Sequence, residues 1–171
     1  AEMVMLANEN PTLHTILNNA SLVVPDGAGI LWAAERQGEH VPERVTGVDV
    51  TKRLFKVAAE RQIPVYCLGA APGVAQRAID NLSAQVGPLN IAGIHDGFFD
   101  STEEQEIVKA ISESKAKLVF VALGVPKQEQ WISEKLSHLD GVVAIGIGGS
   151  FDVLAGNIPR APEWMQRNRL E

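Results

Sequence analysis

Cysteine is almost missing from this chain of 171 residues. Cys67 stands alone within the apolar run Pro64 to Leu68, which excludes an internal disulfide and reads as a buried core thiol, with no sign of an oxidising compartment. Positive charge is also scarce, 15 Lys and Arg against 21 Asp and Glu for a formal net charge of −6. A chain of that sign lacks the clustered cations that displace counterions from a phosphate backbone, so nucleic acid is not an expected partner. No apolar run approaches the ~20 residues that cross a bilayer. Ala1 to Asn10 holds two acids and no basic residue, unlike a secretory leader, so the chain reads as soluble and cytoplasmic. His14, His40, His95 and His138 are scattered, and no His pair or Asp-x-Asp spacing points to a metal centre. Repeats, low-complexity tracts and linkers are absent too. With 46% hydrophobic and 21% charged residues, what remains is the composition of one well-buried globular domain spanning 1–171.

What is present is an alternation. Short apolar, strand-like runs occur at Leu22 to Val24, Val65 to Leu68, Ile91 to Ile94, Leu118 to Leu123 and Val142 to Ile145. Between them, Ala28 to Arg36, Val50 to Arg61, Val74 to Val86, Glu103 to Ser114 and Lys127 to Leu139 carry apolar residues at a spacing nearer three or four than two. Helical crossovers require parallel strands, and right-handed ones put helices on both faces. The expected fold is therefore α/β, a Rossmann-like doubly wound, mainly parallel sheet. Ligands of such sheets sit beyond the carboxyl ends of the strands, so Asp26, Gly69, Gly93 to Asp96, Gly124 and Gly146 to Gly149 should share one rim. The helical Glu2 to Ala7 and Pro11 to Asn18 are an unusual opening for this fold. A helix that begins after Pro162, at Glu163 to Glu171, simply stops. Both ends suggest an excerpt of a longer protein.

The richest stretch is Val142 to Trp164, where a buried-type strand runs into Gly146, Gly148 and Gly149, then Asp152, then Pro159-Arg160-Ala161-Pro162. Glycines there let backbone amides approach an anion, and Asp152 either caps the short helix toward Leu154 or bonds a ribose or base. Asp26, between Pro25 and Gly27, reads equally as the N-cap of the next helix or as a general base emerging into a cleft. Gly124-Val125-Pro126-Lys127-Gln128-Glu129 is a strand-turn-helix entry. There Gln128 could bond a sugar or base edge, while Glu129 complements the helix dipole. Gly69 to Gly73 reads as a tight turn first and a phosphate loop second. Arg44, beside Gly47, is a surface ion-pair residue unless it lies on the rim, where it would serve a diphosphate. In His95-Asp96-Gly97-Phe98-Phe99, Asp96 is a polar rim group and Phe98 either flanks a ring or simply packs.

Taken in order, Pro25-Asp26-Gly27, Glu43-Arg44-Val45-Thr46-Gly47, Asp96-Gly97-Phe98-Phe99, Leu123 to Glu129, Gly146 to Asp152 and Arg160-Ala161-Pro162 resemble the WecG/TagA/CpsF family of bacterial glycosyltransferases, most closely its TagA branch. The resemblance covers nearly the whole chain. It implies inverting transfer of N-acetylmannosamine from UDP to the 4-hydroxyl of GlcNAc on undecaprenyl diphosphate, in wall teichoic acid linkage-unit synthesis. Asp26 is then the candidate base, with Arg44, Gly47, Asp96, Phe98, Gly124, Gln128, Glu129, Gly148, Gly149 and Asp152 as substrate-binding residues. No cofactor and no metal are implied, so helix N-termini and arginines must supply the positive field. The implied partners are a UDP-sugar donor, a lipid-linked GlcNAc acceptor and the inner face of the cell membrane. Family members start further upstream and end in a basic tail that would dock there, and homo-oligomerisation is open. A related UDP-sugar transferase, for example of ManNAcA, is an alternative. So is a nicotinamide-dependent oxidoreductase, although Gly-x-Gly-x-x-Gly after a first strand is absent. A non-catalytic nucleotide-sugar binder would keep the glycines and Asp152 but would not need Asp26.

Overall fold

A computed structural model of the chain describes residues 2–161. Three helices, Glu2–Glu9 (α1), Pro11–Asn19 (α2) and Ala28–Arg36 (α3), precede the long Gly47–Arg61 (α4). Strands and helices then alternate: Val65–Gly69 (β1), Val74–Val86 (α5), Ile91–His95 (β2), Ser101–Glu113 (α6), Leu118–Ala122 (β3), Lys127–Lys135 (α7), Val143–Gly146 (β4) and Ser150–Leu154 (α8). The strands form one sheet in the order β2-β1-β3-β4, every pair parallel. This is the expected α/β, Rossmann-like architecture. The helix beginning after Pro162 lies outside the described residues.

Strand periodicity divides the core in two. Val65 and Cys67 of β1 and Leu118, Phe120 and Ala122 of β3 face α4, α5 and α8, where Phe55 stacks on Phe120 with ring centroids 4.5 Å apart. Tyr66, Leu68, Val119 and Val121 face the opposite way, onto Ile107 and Ile111 of α6 and Trp131 of α7. The two central strands, β1 and β3, are thus buried on both sides, the reason their residues read as continuous apolar runs. Burial also leaves the Cys67 thiol fully covered and pushed up, the inert core thiol that its surroundings suggest. The reversal of direction after β2 explains the two layers. The chain moves from β1 outward to β2 through α5, then back across β1 to β3 through α6, and a constant crossover hand puts those helices on opposite faces. The topological switch point is therefore between the carboxyl ends of β1 and β3.

One expected strand is absent. Leu22 to Val24 has no regular structure and joins no sheet, with Leu22 80% and Val23 62% exposed. Three apolar residues have too few ladder positions to compete for a sheet edge, and the neighbouring cross-link is a single bond from the Val45 amide to the Pro25 carbonyl. The opening helices pack instead on one another and on α7, with Leu13 of α2 fully buried. Among the described residues no helix is long and apolar enough to cross a membrane.

Candidate functional site

The site begins at the start of α4. Thr46 is the N-cap, its hydroxyl oxygen accepting from the Asp49 amide at 3.2 Å and donating to Asp49 Oδ2 at 2.7 Å. This leaves the next amide, Gly47, turned outward, and it donates to Asp26 Oδ2 at 3.0 Å. Asp26 is thus a cap of a kind, but not of the adjacent helix. Gly27 is the N-cap of α3 and makes no side-chain cap bond, while Asp26 reaches across 21 positions to α4. Asp26 is exposed, and its Oδ1 makes no hydrogen bond among the described residues. A carboxylate held by one oxygen at a helix N-terminus, with the other turned to solvent, is well placed to accept a proton or a hydroxyl.

The glycine loop after β4 lies against this corner. A side chain added at Gly47 would lie 3.5 Å from Ser150 Oγ and 4.0 Å from the Ile147 carbonyl oxygen, as well as 3.9 Å from Asp26 Oδ2. Gln128, only 2% exposed, supports the loop from below: its Oε1 accepts from the Gly148 amide at 3.0 Å, and its Nε2 donates to Glu129 Oε1 at 2.7 Å. Both side chains lie over Gly146, where a Cβ would come within 2.7 Å of Gln128 Nε2 and 3.0 Å of Glu129 Oε1. A side chain at 146 would therefore push the Gln128 amide out of its bonds to Gly148 and Glu129. Glu129 is held above the usual carboxylate range by burial, partly offset by the Gln128 bond, and its buried Oε2 has no partner.

Gly149 has no such reason. Its φ is −76°, ordinary for any residue, and a Cβ there would meet nothing within 4 Å. The space in front of Gly124 and Gly148 is equally open. Among the described residues nothing occupies this space, so a backbone free of side chains lines an open rim. Asp152 lies in the first turn of α8 and is not its cap. Gly149 holds that position, and Asp152 Oδ1 accepts from Asn157 Nδ2 at 3.1 Å.

The structure thus brings Asp26, Gly47, Gln128, Glu129, Gly148 and Gly149 together. Arg44, half-buried, stands two residues before Thr46. Asp96 and Phe98 belong to the other end of the rim. They follow β2, three strand spacings or about 14 Å from β4. Asp96 Oδ1 accepts from the Phe98 amide at 2.9 Å, and Phe98 is 73% exposed. At that end, beyond β1 and β2, a cleft of about 250 Å³ opens over Gly69, Gly73, His95 and Asp96. Among the described residues no three His, Cys, Asp or Glu side chains gather as a metal site.

One participant was not expected from the sequence. Arg160 closes onto Asp49 in a bidentate pair, Nη1 to Oδ1 at 2.6 Å and Nη2 to Oδ2 at 2.7 Å, with Nη2 also 3.3 Å from Thr46 Oγ1. The Thr46-x-x-Asp49 spacing is itself a capping signature and could have exposed half of this arrangement. The Arg160 bond, aided by Thr46 against the cost of burial, lowers the Asp49 pKa to about 2. A depressed carboxylate stabilises the fold above its unfolded pKa and stops doing so as pH falls through the folded one. The stability difference between wild type and Asp49→Asn is expected to be constant above roughly pH 4 and to vanish as pH falls toward 2, read from urea midpoints across that range. A difference independent of pH would show that the pair does not titrate as a unit.

Comparison with known proteins gives the family. The family model described as "Glycosyl transferase WecG/TagA/CpsF family" matches residues 1–171. Relatives named N-acetylglucosaminyldiphosphoundecaprenol N-acetyl-beta-D-mannosaminyltransferase include that of Bacillus subtilis strain 168, 32% identical over 170 residues, or 99% of this chain and 66% of the relative. The Bacillus spizizenii protein is 34% identical over 165 residues, 96% of this chain and 63% of its own. The Staphylococcus aureus NCTC 8325 protein is 31% identical over 170 residues, 99% and 66%. The chain spans a little under two thirds of the length of these relatives. With a family match from end to end and the glycine rim and acid where the motifs lie, this chain belongs to the WecG/TagA/CpsF glycosyltransferase family.

Proposed function

We propose that this chain carries the reaction centre of an inverting glycosyltransferase that moves N-acetylmannosamine from UDP-N-acetylmannosamine to the 4-hydroxyl of GlcNAc on undecaprenyl diphosphate, the linkage step of wall teichoic acid synthesis. The observation that carries this reading is the Asp26 carboxylate, accessible and held by the Gly47 amide against the open glycine loop. The names of the relatives, which speak of an N-acetylmannosaminyl group and a lipid-linked GlcNAc, support this choice of transferred sugar and acceptor.

In the proposed reaction Asp26 takes the proton from the acceptor hydroxyl as its oxygen attacks the anomeric carbon of the donor. The bond from that carbon to the diphosphate breaks on the opposite face, and UDP leaves with the electron pair, inverting the centre. Negative charge grows on the diphosphate, and fixed dipoles aimed at it lower the barrier. Gly149 offers its amide there, Gly148, whose own amide is held by Gln128 Oε1, lets the backbone approach closely, Glu129 braces Gln128, and Arg44 contributes a cation. Asp152 serves the ribose or base of the donor, while Gly124, Asp96 and Phe98 line the remainder of the rim. The field comes from amides and arginine, so transfer needs no divalent ion. The acceptor is a membrane lipid, which places the enzyme at the inner membrane face during turnover.

Calorimetric titration with UDP-N-acetylmannosamine in EDTA, with NAD as the parallel ligand, tests this. Saturable binding of the nucleotide sugar alone, together with transfer to a lipid-linked GlcNAc acceptor undiminished by EDTA, is the expected result. Loss of transfer in EDTA and its return with a divalent ion would overturn the metal-free mechanism. Binding of NAD alone would overturn the reading as a whole.

A further inference from the structure

Arg160 lies outside the cluster just described, yet its bonds lead into it. The guanidinium holds both oxygens of Asp49 and approaches the hydroxyl of Thr46, joining the segment after α8 to the first turn of α4 across 111 positions of sequence. Thr46 is the cap that sets where α4 begins, and Thr51 grips the following peptide from within, its hydroxyl donating to the Gly47 carbonyl at 2.7 Å. That peptide's neighbouring amide is the one that holds Asp26. Four links therefore run in series, from Arg160 to Asp49, to Thr46, to the Gly47 amide and to the Asp26 carboxylate.

The pair is too well formed for an incidental surface contact. Arg160 keeps only 20% of its side chain exposed, and both its terminal nitrogens are engaged on one planar carboxylate, a fork that lysine cannot reproduce. A cation at the N-terminus of a helix opposes the helix dipole unless an acid stands between them, and Asp49 occupies that place. The arrangement fixes direction as well as position. With both carboxylate oxygens engaged, Asp49 is held toward the cap.

We infer that Arg160 is a positioning residue for the reaction, acting through Asp49 and the Thr46 cap to hold the Gly47 amide where it orients the Asp26 carboxylate. The inference rests on the reading of Asp26 as the base. Arg160 touches no substrate in this scheme. Its loss should lower the rate of transfer and leave donor binding alone, because a base displaced by a fraction of an ångström costs turnover first.

A double-mutant cycle in the full-length protein decides the matter, with turnover followed by transfer of radiolabelled sugar. Arg160→Gln is expected to lower kcat roughly 10- to 100-fold, leave the donor KM within about twofold, and have no further effect in an Asp26→Asn background. Arg160→Lys should recover part of the loss, since it keeps the charge without the fork. An equal fold loss from Arg160→Gln in both backgrounds would assign Arg160 a merely structural role and overturn the inference, with Asp26 as base still standing. Full turnover of Asp26→Asn alone would remove the base and the inference with it. If Arg160→Gln melts below the assay temperature, the same cycle run with Asp49→Asn gives the same two readings.

Discussion

Replacing Asp26 by Asn is expected to reduce kcat by about 10²- to 10⁴-fold, the usual contribution of a positioned general base, while UDP-N-acetylmannosamine binds within about twofold of wild type. The substitution is informative because the structural part of Asp26 survives it. An Asn side-chain oxygen can still accept from the Gly47 amide, so the anchor to α4 persists. What is lost structurally is one negative charge near a helix N-terminus at an exposed position, worth about 0.3–1 kcal/mol. The expected loss of turnover corresponds to roughly 2.7–5.5 kcal/mol of transition-state stabilisation. The two magnitudes do not overlap. A thermal melt and a transfer assay on the same preparation therefore separate an anchor from a base. Turnover within about threefold of wild type would leave Asp26 as an anchor and refute the proposed chemistry. Weakened donor binding with unchanged kcat would move it to the donor subsite.

The elements were legible wherever a single local force decides them. Apolar periodicity and glycine boundaries place α5 at Val74–Val86 and α3 at Ala28–Arg36 as expected, and the four paired strands fall within a residue or two of their apolar runs. Leu22 to Val24 shows the limit of that signal. Apolar character gives the tendency to extend, but membership of a sheet depends on a free edge, and sequence does not display edges. The site was legible in its glycines and acid but not in its connections. Whether Asp26 caps the helix beside it or another one 21 positions away is decided by tertiary packing, which also pairs Arg160 with Asp49. The Gln128 amide illustrates the same point. Its place in the first turn of α7 follows from the motif, but its near-complete burial beneath Gly148 does not.

Gly69 carries the second large effect, because the switch point of the sheet is built around its missing side chain. It ends β1 with φ +114°, a conformation L side chains rarely adopt, and a Cβ there would fall directly onto the carbonyl of Ala122 at the end of β3. The contact cannot simply open. The Ala70 amide bonds that same Ala122 carbonyl at 2.9 Å, and the Ala70 carbonyl accepts from Gly97 at 2.8 Å, so the ends of β1, β2 and β3 are tied by consecutive peptides. Gly69→Ala is expected to destabilise the fold by about 3–5 kcal/mol, backbone strain and a backbone clash acting together. Gly38 supplies the control. It also has positive φ, +78°, but a Cβ there meets nothing within 4 Å, so Gly38→Ala should cost only the conformational part, about 1–2 kcal/mol. Urea unfolding with unchanged m-values measures both. Equal losses would mean that β1 and β3 can separate at little cost, whereas the expected gap makes the close approach of these strand ends the constraint that holds the crevice of the rim in shape.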